Sequence, residues 1–94
     1  MLEEKSIVKL AEGISLYGGD NGAHKFYVFN TLSGDYFSIN AFGYSALARV
    51  DGNATIGQIV DECLKSISID KNTYLTDVIE LFDSCVAKDV LEVA

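Results

Sequence analysis

The chain is 94 residues long, enough for one small domain and too short for two. It is 49% hydrophobic and 22% charged, a balance that supports a buried core and excludes a disordered tail or low-complexity linker. Seven Lys and Arg face 14 Asp and Glu, so the net charge of −7 has the wrong sign for gripping a phosphate backbone. No nucleic-acid partner is expected. Cys63 and Cys85 are too few and too isolated for a disulfide framework or a zinc site, and they suit a reducing cytoplasm. No apolar run is long enough to span a membrane, and Met1-Leu2-Glu3-Glu4-Lys5 has no secretory character. The expectation is a single cytoplasmic domain over residues 1–94, with residues 1–6 disordered and no membrane partner.

In chain order, Ile14-Ser15-Leu16-Tyr17 alternates and predicts a first strand. Gly18-Gly19-Asp20-Asn21-Gly22 follows as a loop of residues that tolerate positive φ. Lys25-Phe26-Tyr27-Val28-Phe29-Asn30 is aromatic and β-branched, the strongest strand signal present. A turn through Thr31-Leu32-Ser33-Gly34 leads into Asp35-Tyr36-Phe37-Ser38-Ile39. There Phe37 and Ile39 share one face, and Tyr36 and Ser38 the other. The first half therefore predicts an antiparallel meander of three strands.

The second half predicts helices. Asn40 is an N-cap for a helix over residues 41–50, stopped by Asp51-Gly52. Thr55-Ile56-Gly57-Gln58 has capping-box spacing, and Ile56, Ile59, Val60, Cys63, Leu64 and Ile67 recur at helical intervals behind it. A third helix begins near Asp70 or Thr73 and ends near Lys88, and Val90-Leu91-Glu92-Val93 is extended or frayed. On this third helix Tyr74, Leu75, Val78, Ile79, Leu81, Phe82, Cys85 and Val86 fill an arc of about 160°, wider than the roughly 100° that one docked neighbour requires. The excess means either a second packing neighbour or a flank kept for a ligand.

No catalytic constellation emerges, so no enzyme activity, metal or cofactor is expected. His24 stands alone beside the glycine-rich loop, and neither cysteine has a base nearby in sequence. Both thiols lie on apolar helix arcs, where free Cys behaves as a small hydrophobe. The glycine-rich loop lacks the Lys and helix start of a phosphate loop. The acids are scattered without metal-ligand spacing.

Strands followed by three helices, the middle one capped after an Asp-Gly turn, resemble a winged helix-turn-helix in small format: an α+β domain with a three-stranded antiparallel sheet. Asn30, Thr31, Ser33-Gly34 and Ile39-Asn40 resemble the N-x-x-x-G-x-x-x-x-L-N passage of the PqqD family. Phe42, Gly43 and Leu47 continue that family's first helix, and residues 50–59 are similar to its L-x-D-G-x-x-T-v-x-e-I passage. Asp77-Val78, Phe82 and Val90-Leu91 match its later positions. Asp89 departs from the pattern by standing where a Gly is usual, as do Cys85 in place of Leu and Glu12-Gly13 in place of Pro-Gly.

This resemblance implies a recognition element for ribosomally synthesised, post-translationally modified peptides. Such an element binds the leader region of a precursor peptide without catalysis and presents it to a modifying enzyme, often of the radical SAM type. In the family the leader adds as a strand beside the third strand, in the cleft against the third helix. The implied contacts are Asp35, Tyr36, Phe37, Ser38 and Ile39 on the strand and Tyr74, Asp77, Val78, Leu81 and Phe82 on the helix. The backbone parity left open on the strand, and the helix flank lining the groove, are undecided by sequence. The competing functions are a winged-helix DNA-binding regulator and an oligomerisation module, and homodimerisation stays open.

Overall fold

The computed structural model describes residues 2–18 and 25–94. In chain order the elements are β1 (Val8–Leu10), β2 (Ile14–Tyr17), β3 (Phe26–Asn30), β4 (Tyr36–Ile39), α1 (Ala41–Leu47), α2 (Ile56–Cys63), α3 (Lys71–Ala87) and β5 (Leu91–Val93). His24 and the glycine-rich loop beyond Gly18 lie outside the described residues.

The expected meander is present as an antiparallel sheet in the order β2-β3-β4. Its inner face carries Ile14, Leu16, Val28, Phe37 and Ile39 onto the core. The β3–β4 turn is built by Asn30, whose side-chain oxygen accepts from the Leu32 and Ser33 N–H groups at 3.0 and 3.2 Å. Gly34 closes that turn at φ +82°, where a side chain would strain the backbone.

Each helix begins at a side-chain cap. Asn40 accepts from the Gly43 N–H at 2.7 Å, Thr55 and Gln58 form the reciprocal capping box, and Asp70 accepts from the Thr73 N–H at 3.1 Å. Two helices end earlier than their periodicity predicts. After Leu47 the Arg49 and Val50 N–H groups bond three residues back, and after Cys63 Ser66 does the same while its hydroxyl also reaches the Cys63 carbonyl. These tighter turns end α-helical winding before Val50 and Ile67.

Two features escape the sequence reading. Residues 91–93 take the extended form of the two expected, but their partner was not foreseen: β5 pairs antiparallel with β1, setting Val8 opposite Val93 and Leu10 opposite Leu91. The disorder expected at the N-terminus is corrected for residues 2–6. Leu2 is buried, and its N–H donates to the Asp83 carboxylate at 3.0 Å. The Ser6 and Glu4 carbonyls accept from the Ile56 and Gly57 N–H groups, each at 2.9 Å. These donors belong to the first turn of α2 and have no partner within their own helix. Gly57 allows the close approach, since a Cβ there would lie 2.6 Å from the Glu4 Cγ.

The core joins Val8, Val28, Leu47, Ile56, Ile59, Val60, Val78, Phe82 and Leu91 in one cluster. Phe82 is the largest side chain wholly removed from solvent.

Candidate functional site

β4 is an edge strand. Among the described residues β3 pairs with one side of it and no strand pairs with the other. The Asn30 N–H donates to the Asp35 carbonyl at 2.8 Å, which fixes the phase of the ladder. With Val28 opposite Phe37 and Phe26 opposite Ile39, hydrogen-bonded pairs recur at every second residue. Phe37 and Ile39 therefore spend their backbone groups on β3, while Tyr36 and Ser38 aim theirs at the open edge. The parity left undecided by sequence is the even one.

Two cavities adjoin β4, one against α3 and one near the C-terminal end of that helix. The first, of about 290 Å³, is lined by Ser38 and Ile39 on β4, by Phe42 on α1, and by Tyr74, Asp77, Val78 and Leu81 on α3. The second, of about 440 Å³, lies at the other end of β4, lined by Val28 and Asn30 on β3, by Asp35, Tyr36 and Phe37, and by Lys88 and Val90 just after α3. There the Lys88 ammonium sits 4.3 Å from the Phe37 ring centroid, a cation–π contact that ties the end of α3 to the strand.

The wide apolar arc of α3 divides accordingly. Tyr74, Val78, Phe82 and Cys85 are buried and form its central stripe. Successive residues turn by about 100°, so Asp77, Leu81, Ser84 and Lys88 occupy one flank, and three of these four line the cavities. Tyr74 and Val78 form the cavity floor although each is almost wholly buried. Phe82 is a correction to the expected contact set: it is 0% exposed and lines neither cavity, because it sits at the centre of the stripe. Gly43 brings α1 against this wall, where a Cβ would lie 2.9 Å from a Leu81 methyl carbon.

Electrostatics distinguish the buried groups from the rim. Burial pushes the Tyr74 phenol well above its ordinary range, with the adjacent Cys63 thiol adding to the shift. Burial raises the Cys85 thiol from 9.0 to about 11, opposed by the Lys88 charge. Such a thiol is inert at neutral pH. Among the described residues, no three His, Cys, Asp or Glu side chains are grouped to hold a metal.

Sequence reasoning missed Lys88, Phe42 and Asn40 as cleft residues. Lys88 is at the predicted helix end, and only the fold reveals its position over Phe37. The outer face of the sheet was legible only in part. Tyr36 faces outward as expected, and it stacks on Phe29 at 5.3 Å and meets Tyr27 edge-on at 6.1 Å.

An antiparallel three-stranded sheet with an open edge at β4, followed by three helices, defines a small α+β domain. The sequence profile for coenzyme PQQ synthesis protein D (PqqD) matches residues 25–91, and the chain belongs to this PqqD family. No curated protein matches the chain in sequence. Among solved structures, it is similar to the PqqD truncation of Methylobacterium extorquens PqqCD, described as a stand-alone recognition element for ribosomally synthesised and modified peptides. That likeness has a TM-score of 0.80 at 21% identity, covering 98% of this chain and 95% of that one. TbiB1 in complex with the TbiA(beta) leader peptide is similar at a TM-score of 0.72 and 20% identity, over 89% of this chain and 94% of that one. A lasso peptide synthetase B1 complexed with its leader peptide is similar at a TM-score of 0.72 and 14% identity, over 90% and 96% of the two chains. These likenesses show the fold.

Proposed function

We propose that this domain binds the leader region of a ribosomally synthesised precursor peptide by adding it as a strand to β4. It holds the leader against α3 and presents it, without catalysis of its own, to a modifying enzyme of the radical SAM type or similar. The observation that carries this reading is the open edge of β4, where Tyr36 and Ser38 turn unpaired backbone groups toward a cleft lined by α3. Membership of the PqqD family and likeness to two leader-peptide complexes support it. Edge-strand addition draws affinity from main-chain hydrogen bonds and selectivity from side-chain pockets, and both elements lie side by side here. The contact set is Asp35 to Ile39 on the strand with Tyr74, Asp77, Val78 and Leu81 on the helix.

The DNA-binding alternative gains nothing from α2. Its exposed residues include Gln58, Asp61 and Glu62, and Lys65 just beyond is paired with Glu62 at 2.6 Å. A recognition helix would present cations to phosphate.

The test is Ser38→Pro. Proline removes one N–H that faces the open edge and leaves the bonds to β3 in place. The protein should keep its cooperative melt and lose leader binding at least tenfold by fluorescence anisotropy with a labelled precursor peptide. Undiminished binding by the folded variant would rule out strand addition at β4.

A further inference from the structure

The two ends of the cleft differ in charge. Asp77 lines the first cavity and Lys88 the second. Both are exposed, and among the described residues neither has an ion-pair partner within 4.0 Å. Lys88, which caps α3, stands eleven positions beyond Asp77, a rotation that returns to the same face within about 20° and advances about 16 Å along the axis. Leu81, half-buried, lies between them on that flank. Asp35 stands at the rim of the second cavity without pairing to Lys88, so the ammonium remains available there.

β4 runs from the Lys88 end, at Phe37, to the Asp77 end, at Ser38 and Ile39. A strand added antiparallel, as every other pair in this sheet is, enters at Asp77 and leaves at Lys88. Extended chain rises about 3.3 Å per residue, and only every second side chain faces the helix. An interval of four residues spans about 13 Å, and long charged side chains cover the remainder. The residue midway between them meets Leu81.

We infer that the cleft selects its peptide by charge order as well as by shape, taking a segment of the form basic-x-apolar-x-acidic, read from its N-terminus. Asp77 receives the basic side chain, the first cavity the apolar one and Lys88 the acidic one. This inference rests on the peptide-binding function proposed above and adds direction and register to it. Attraction to the two rim charges steers the strand one way, and the reversed peptide meets like charge at both ends.

The experiment is panning of a displayed random 12-residue library against the full chain and against the double variant Asp77→Lys/Lys88→Glu. A neutral variant, Asp77→Asn/Lys88→Met, serves as a control for charge alone. Synthetic copies of the enriched peptides are then titrated while amide exchange is followed at Tyr36 and Ser38. The expected result is basic-x-apolar-x-acidic from the native protein, the opposite order from the charge-reversed variant, and no order from the neutral one. Each peptide should lose about tenfold in affinity on the wrong protein. Peptides that protect the β4 amides but show no charge order, or an order unmoved by the reversal, overturn the inference and leave peptide binding standing. If nothing is enriched, or the enriched peptides protect no β4 amide, peptide binding at this edge falls with it.

Discussion

The Tyr74 hydroxyl donates a hydrogen bond to the Phe42 carbonyl oxygen at 2.7 Å, joining the first turn of α3 to the first turn of α1 across 32 positions of sequence. This bond fixes the corner from which the first cavity opens, since both residues line it. Tyr74→Phe keeps the ring and removes the bond. A single intramolecular hydrogen bond contributes about 1 kcal/mol net, so the urea midpoint should fall by that equivalent with the slope unchanged. Peptide affinity should weaken as well, because the α1 wall loses its tether.

Asp89 ends α3 in the left-handed region at φ 61°. The Asp89 N–H reaches the Val86 carbonyl and the Val90 N–H the Cys85 carbonyl, a closing pattern that usually employs Gly at this position. A side chain in this conformation costs on the order of 1 kcal/mol. Asp89→Gly should therefore raise stability by about 0.5–1 kcal/mol in thermal or urea unfolding, and Asp89→Ala should not.

Removal of residues 1–6 should destabilise the fold rather than trim a loose end. It exposes the surface under Leu2 and strips the Ile56 and Gly57 N–H groups of their acceptors. A loss of about 1–3 kcal/mol in chemical denaturation is expected. Gly57→Ala should reproduce part of it, because the added methyl collides with Glu4. An unchanged midpoint in both variants would show that this segment contributes nothing.

Stability should decline on the alkaline side. The Cys85 thiol, raised from 9.0 to about 11, and the Tyr74 phenol, also raised, hold their protons more tightly when folded than when unfolded. The Cys85 contribution is complete below pH 9 and is lost as pH climbs from 9 toward 11, and the Tyr74 contribution begins to be lost only above pH 10. Urea midpoints measured across that window should fall, and the slope should be shallower in Cys85→Ala. Iodoacetamide at pH 8 should leave Cys85 unmodified until the protein unfolds.

Local signals were the ones legible in the sequence. The caps at Asn40, Thr55 and Asp70 depend on residues three positions away, and the Asn30 turn on the next four, so short-range chemistry sufficed. β1 was invisible because it is three residues long and its partner β5 lies more than 80 positions downstream. The buried N-terminus was missed for the same reason: an acidic, charged opening looks solvated, while its carbonyls are what α2 uses. At the candidate site, face alternation placed Phe37, Ile39 and Tyr36 correctly. The open parity of β4 depends on the phase of one bond between Asn30 and Asp35, which composition does not encode. Phe82 was separable from Leu81 only once the neighbours of α3 were in place.

The shortness of β4 has a kinetic consequence. Its open side offers two N–H and two C=O groups, from Tyr36 and Ser38. At about 1 kcal/mol each, four main-chain bonds amount to a millimolar contact. Each apolar side chain sunk into a cavity adds about 1.5–3 kcal/mol, so a well-matched segment reaches the micromolar range. With an association rate of about 10⁶ M⁻¹s⁻¹, a micromolar complex lasts on the order of a second. Under the proposed strand addition, a strand of four residues makes a carrier that lets go, with a dwell time comparable to a slow enzymatic turnover rather than to permanent assembly.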